Sequence, residues 1–129
     1  MRISFMPPST HSGGLRYHGM APMFSHLVDI GAIEAKAYGQ KECFEAGVKF
    51  AKAEGIVPAP EATHAVKGAI EAALECKKNG QKKTILFNLC GHGHFDMQAY
   101  GDYFDDKLSD DSYDEAAVNK ALEKLPKIA

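Results

Sequence analysis

Thr84-Ile85-Leu86-Phe87-Asn88-Leu89-Cys90-Gly91-His92-Gly93-His94-Phe95-Asp96 is the stretch on which the fold reading turns. Its first six residues are almost continuously apolar and do not alternate. That pattern predicts a strand buried on both faces, as in a parallel sheet covered by helices. The run then breaks into Cys90-Gly91-His92-Gly93-His94, whose two glycines permit a sharp turn and a close approach of backbone to a ligand. Asp96 is a residue type that caps a helix, here one through Gln98, Ala99 and Tyr100. Polar side chains are therefore expected just past the end of a central strand, where ligands bind in open α/β sheets.

Upstream, residues 1–22 read as a binding loop, rich in Pro and Gly and carrying His11, Arg16, Tyr17 and His18. A strap over a sheet edge is the plainer alternative. Residues 22–30 predict a short helix with Phe24, Leu27 and Val28 on its apolar stripe, ended by Gly31. Ile33 to Tyr38 alternates and predicts a strand. Residues 41–54 predict a helix with Phe44, Val48 and Ala51 on one face and Gly55 as its stop. Cys43 reads as a core residue beside that stripe.

After the extended link Ile56-Val57-Pro58-Ala59-Pro60, a long helix is expected from Glu61 or Thr63 to about Asn79. Its stripe is Ala62, Val66, Ala69, Ile70, Ala73 and Leu74, and Lys77 and Lys78 suit its negative C-terminal end. Taken without other information, Glu61 is a favourable charge at a helix start. A helix from Asp96 to about Phe104 follows the glycine-histidine turn. Residues 107–113 predict a polar linker, and Asp114 opens a last helix through Val118, Ala121, Leu122 and Leu125, closed by Pro126.

The order predicts an α/β fold, a partial three-layer parallel-sheet domain. The chain reads as one unit: a loop over 1–22, an α/β core over 23–108 and a helical tail over 109–129. Two strands make a poor sheet, so the missing strands must come from elsewhere.

The 129 residues fit one domain, with 45% hydrophobic and 25% charged residues. A formal net charge of -2 and a pI near 6.3 give no footprint for nucleic acid. No apolar run approaches the ~18 residues of a membrane span. Met1 to His11 has one arginine and no sustained apolar segment, which predicts no signal peptide. Three cysteines at unrelated spacings, Cys43, Cys76 and Cys90, argue against a disulfide framework and for a reducing, cytoplasmic setting.

Three chemistries are open at the glycine-histidine turn. Cys90, His92, His94 and Asp96 stand at every second position and are usable ligands for zinc or copper in a non-enzymatic binding module. Cys90 could act as a nucleophile with a histidine as base. A pocket of backbone and small polar groups could instead face a cofactor ring.

Three runs resemble a known family. They are Gly13-Gly14-Leu15-Arg16-Tyr17-His18-Gly19, then Glu54-Gly55-Ile56-Val57-Pro58-Ala59-Pro60-Glu61 with His64-Ala65, then Phe87-Asn88-Leu89-Cys90-Gly91-His92-Gly93-His94-Phe95-Asp96. Together they are similar to the C-terminal part of the tryptophan synthase beta chain, and more closely to its second, beta-like branch. The resemblance runs from about Ser4 to Ala129. It implies the type II fold of pyridoxal-phosphate enzymes and the joining of L-serine to indole, giving L-tryptophan and water.

Residue by residue, Cys90 with Gly91 matches the serine-glycine whose hydroxyl faces the cofactor's pyridine nitrogen. A neutral group there suits β-elimination rather than chemistry that needs a deeply delocalised carbanion. Glu61 matches a glutamate close to the ring and Gly14 a glycine beside it. Arg16 falls where the main branch carries an aspartate that meets the substrate hydroxyl. Backbone around Tyr17 and Gly19 matches a region that holds a monovalent cation.

Cysteine for serine at position 90 and the reversed charge at Arg16 depart from the main branch. The Schiff-base lysine and the glycine-rich phosphate loop have no counterpart in these 129 residues. The resemblance thus implies a wall around the ring, inactive alone and without pyridoxal phosphate bound. Its partner would be the N-terminal part of such an enzyme or further copies of itself.

Overall fold

The computed structural model describes residues 10–17, 19–110 and 115–123. Gly13–Leu15 forms one 3-10 turn, followed by the helices α1 (Pro22–Asp29), α2 (Gln40–Glu54), α3 (Pro60–Lys78), α4 (Met97–Phe104) and α5 (Glu115–Leu122).

The helix limits follow local chemistry. Gly39 precedes α2, and its N–H donates to Glu42 Oε1 at 2.9 Å, which satisfies one donor at the helix start. Gly55 ends α2 at φ 73, a left-handed position suited to glycine. Pro60 opens α3 at the helix position where a missing N–H costs nothing. Asp96 stands at the cap position of α4, but its side chain makes no capping bond.

The core lies where α2, α3 and α4 meet. Phe44 is 1% exposed, edge-on to Tyr100 at 5.0 Å and stacked on Tyr103 at 5.8 Å. Ala99, Tyr100 and Leu108 complete the buried cluster with it, and Val66, Ala62 and Cys43 are buried as well. Gly47 lets the elements close: a Cβ there would lie 2.6 Å from Thr63 Cγ2 and 2.9 Å from Tyr100 Oη. Across the α2–α3 seam, Lys67 Nζ pairs with Glu42 at 2.9 Å and Glu71 at 3.2 Å. Tyr38 donates its hydroxyl to Glu71 at 2.9 Å.

The sheet expected from the sequence does not form: there is no strand among the described residues. Ile33–Tyr38 and Thr84–Leu89 run without ladder bonds to one another. A strand exists only as a pair, and hydrophobic pattern alone cannot supply the partner. Among the described residues the one β-bridge is antiparallel, between Pro58 and His92.

The apolar stripe of α3 is also covered over only half its length. Val66 is buried, but Leu74 is 59% exposed and Ala73 is exposed too, because no element among the described residues packs over that end. Among the described residues α1 and α5 pack on no other element. His18, the expected cap Asp114, and Leu125 and Pro126 lie outside the described residues, as do 111–113 of the expected linker. No described helix is long and apolar enough to cross a membrane.

Candidate functional site

The site is assembled around the start of α3. In Pro58-Ala59-Pro60 only Ala59 keeps a backbone N–H. It donates to Gly91 O at 2.9 Å, and Gly93 N donates to Val57 O at 2.7 Å. This places the link antiparallel to Gly91-His92-Gly93. The approach needs glycine: a Cβ on Gly93 would lie 2.5 Å from Pro58 O, and one on Gly91 would lie 3.1 Å from Ala59 Cβ. Tyr100 donates its hydroxyl to Pro58 O at 2.6 Å. Burial, helped by Asp96, pushes the Tyr100 hydroxyl up to about 12, so it stays a donor at neutral pH.

The same helix end reaches the loop upstream. Glu61 lies in the first turn of α3, and its Oε1 accepts from Gly14 N at 2.9 Å. A Cβ on Gly14 would lie 3.2 Å from Glu61 Cγ. The loop is anchored further back by Ser12, which is buried, and by His11. The His11 N–H donates to Gln40 Oε1 at 3.4 Å and its ring stands edge-on to Phe44 at 6.5 Å. His11 Nε2 lies 3.9 Å from Asp102 Oδ2. Gln40 in turn donates its amide to the Ser109 carbonyl.

The structure therefore brings three residues singled out from the sequence, Gly14, Glu61 and Gly91, to one helix end through two contacts. Gly14 meets Glu61, and Gly91 meets Ala59 two residues before it, leaving Cys90 exposed at the rim. Arg16 is exposed on the turn after Leu15, with its N–H donating to Gly13 O at 3.3 Å. Tyr17 and Gly19 are exposed as well.

His92 and His94 rings lie 4.6 Å apart, and His94 N donates to His92 Nδ1 at 3.3 Å, so that nitrogen is taken by backbone. Phe95 packs on the other side of His92 at 5.5 Å. Among the described residues no three His, Cys, Asp or Glu side chains gather to hold a metal. Cys90 is a free, exposed thiol, and among the described residues it makes no hydrogen bond to either histidine.

Sequence reasoning missed Ala59, Gly93 and Tyr100 as parts of the site. Ala59 had a signal: an alanine between two prolines holds that segment's one free donor. Tyr100 had none, because its partner lies 42 residues away.

No protein-family model matches the chain. It is similar to curated proteins named tryptophan synthase beta chain 2. That of Methanosarcina mazei is 58% identical over 103 residues, 80% of this chain and 23% of that one. That of Aquifex aeolicus is 57% identical over 106 residues, 82% of this chain and 24% of that one. A Pyrococcus horikoshii protein named tryptophan synthase beta chain is 50% identical over 123 residues, 95% of this chain and 26% of that one. The chain thus spans about a quarter of the length of these relatives.

Proposed function

We propose that this chain, which belongs to the tryptophan synthase beta family by its match to a C-terminal portion, builds one wall of a pyridoxal-phosphate site. The complete enzyme would join L-serine to indole. One observation carries the reading. The start of α3 gathers Gly14, Glu61 and Gly91, with Cys90 beside them, although Gly14 and Glu61 stand 47 residues apart in the chain.

The residues fit the cofactor. Gly14 and Gly91 leave room that a side chain would fill, and Cys90 offers an exposed neutral thiol. Bound pyridoxal phosphate would supply an electron-withdrawing ring to the amino-acid substrate. The Cys90 thiol would face the pyridine nitrogen without holding a proton on it as a carboxylate would. Glu61, fixed by the Gly14 amide, would border the ring and keep the upstream turn at its place. Arg16 would lie toward the substrate's side chain, and the backbone of residues 17–19 toward a monovalent cation.

The lysine that holds the cofactor and the loop that holds its phosphate would come from a separate polypeptide region equivalent to the rest of the relatives' length. In that assembly Thr84–Leu89 would become a central strand of a three-layer parallel sheet of the type II fold, in a cytoplasmic enzyme.

The test is an absorbance spectrum after adding pyridoxal phosphate, followed by borohydride reduction and mass spectrometry. The chain alone should show no cofactor band and no labelled lysine. Mixed with the unmatched part of the Methanosarcina mazei relative, it should give a band, one labelled lysine on that partner, and tryptophan from serine and indole. Turnover by the chain alone at enzyme-like rates would overturn the reading.

A further inference from the structure

We propose that Gln40 is a positioning residue for the cofactor wall: its side-chain amide fixes the segment before Gly14 and so sets Gly14 on Glu61. The part it plays toward the cofactor rests on the family reading above. The positioning itself stands on geometry and is tested apart from that reading.

The amide is used at both ends by segments far apart in the chain. Its Oε1 accepts from the His11 N–H at 3.4 Å, 29 residues upstream, and its Nε2 donates to the Ser109 carbonyl, 69 residues downstream. The two partners fix which way the amide faces, since an N–H only donates and a carbonyl only accepts. Gln40 is 6% exposed, so water competes little for either bond. A carboxylate could take the first bond but would turn an acceptor on Ser109, and an apolar side chain could take neither.

The base under this amide is braced. Gln40 is the first residue of α2, and residues 106–110 lie across that turn. The Lys41 N–H donates to Asp110 Oδ1 at 3.0 Å, and Lys41 Nζ reaches Asp106 Oδ1 at 2.8 Å. Gly39 is packed tightly there: a Cβ on it would lie 3.0 Å from Asp110 Oδ1. The amide therefore projects from a turn held on both its backbone and its side chains.

The segment it holds needs such an anchor. Gly13 and Gly14 are consecutive glycines, which lose more conformational freedom on ordering than other residues. Downstream of them Arg16 and Tyr17 are exposed. Among the described residues, hydrogen bonds tie the turn to helices at two points, Gly14 N to Glu61 Oε1 at 2.9 Å and His11 N to Gln40 Oε1. The second point lies just upstream of the first, and Ser12 between them is 3% exposed. Without it, the Glu61 contact has to restrain both glycines alone. The ring of His11 is a looser hold, 6.5 Å from Phe44 and 3.9 Å from Asp102, with its side chain 44% exposed.

The test is amide hydrogen exchange by NMR on this chain, as wild type, Gln40→Met and Val48→Ala. Methionine is similar in length to glutamine and makes neither bond. Val48→Ala trims a half-buried residue packed against the core in the middle of α2, and controls for a general loss of stability. Gln40→Met should lower the protection of the Gly14 amide about fivefold, by local opening. Val48→Ala should leave it unchanged while its urea midpoint falls. In the wild type, the side-chain amide protons of Gln40 should exchange about tenfold more slowly than those of the exposed Gln81, a readout that needs no variant to fold. Mixed with the unmatched part of the Methanosarcina mazei relative, Gln40→Met should take up pyridoxal phosphate more weakly than the wild type, and Val48→Ala as the wild type does.

Equal Gly14 protection in the wild type and Gln40→Met, or an equal loss in Val48→Ala, overturns the proposal. So do Gln40 side-chain protons that exchange as fast as those of Gln81. Lost Gly14 protection with no cofactor uptake by any mixture, the wild type included, upholds the positioning and sinks the functional reading. Lost protection with an uptake that Gln40→Met does not weaken overturns the part of Gln40 in the cofactor wall.

Discussion

Tyr100 donates its hydroxyl to the carbonyl of Pro58 at 2.6 Å, so α4 holds the link that α3 grows from. The bond is buried, and Tyr100 is 4% exposed. Tyr100→Phe removes the donor and strands the carbonyl. It is expected to cost about 1–2 kcal/mol in urea-induced unfolding. Because the ring itself still packs on Phe44, the denaturant slope should not change.

Gly47→Ala tests the same junction by overpacking. The added methyl would meet Thr63 Cγ2 at 2.6 Å and the Tyr100 hydroxyl at 2.9 Å. Neither neighbour has room to retreat, since both are buried. A loss of about 1–3 kcal/mol is expected, although alanine favours helix more than glycine does. A stabilised Gly47→Ala variant would show that α2 and α3 are not in contact there.

Glu61→Ala should release the Gly14 amide, while Glu61→Gln should keep it, because a glutamine oxygen can accept the same bond. The measurement is exchange of the Gly14 amide by NMR. Faster exchange in Glu61→Ala alone identifies Glu61 as the latch between α3 and the Gly13–Leu15 turn. Equal exchange in all three proteins would remove that contact from the site.

The helices were legible because each carries its own apolar stripe: Phe44 and Val48 in α2, with Gly55 as its stop, and Ala62 and Val66 in α3. Cys43 was legible as core for the same reason, by its place beside Phe44. Strands were not, because Ile33–Tyr38 and Thr84–Leu89 carry half of a pairing whose other half is not among the described residues. Part of the site was legible through residue resemblance. Its geometry was not: the contacts Glu61–Gly14 and Ala59–Gly91 join segments that only tertiary packing brings together. Among the described residues the set Cys90, His92, His94 and Asp96 does not gather as a group of metal ligands, and the His94 N–H occupies His92 Nδ1.

The cysteines should separate cleanly by reactivity. Cys43 is fully buried, and burial, with the Glu42 carboxylate adding, pushes its thiol up to about 12. Cys90 is exposed. At pH 8 a disulfide reagent should label Cys90 quickly and Cys43 only after unfolding. The same burial predicts alkaline instability. Cys43 and Tyr100 hold their protons more tightly folded than unfolded, so their contribution is whole below the ordinary values of 9.0 and 10.0. It is lost as pH rises from there toward about 12. The urea midpoint should fall over that range, and Cys43→Ala should fall less steeply while starting lower.

Lys67 sets the behaviour at the acid end. It bridges Glu42 at 2.9 Å and Glu71 at 3.2 Å, which raises its own ammonium above the ordinary lysine value. Glu42 is held below the usual carboxylate range by Lys67 and then by the Gly39 amide. Glu71 is held down by the Tyr38 hydroxyl and then by Lys67. Carboxyls lowered in the folded state stabilise it above their unfolded value and lose that stabilisation as they protonate. The wild type should therefore weaken as pH falls from about 5 toward 3. Lys67→Met removes the cation but keeps the aliphatic stem. It should be less stable at pH 7, because two carboxylates are left side by side, and its stability should change less on acidification. The two urea midpoints should converge near pH 3; parallel curves would mean that the Lys67 pairs contribute nothing to joining α2 and α3.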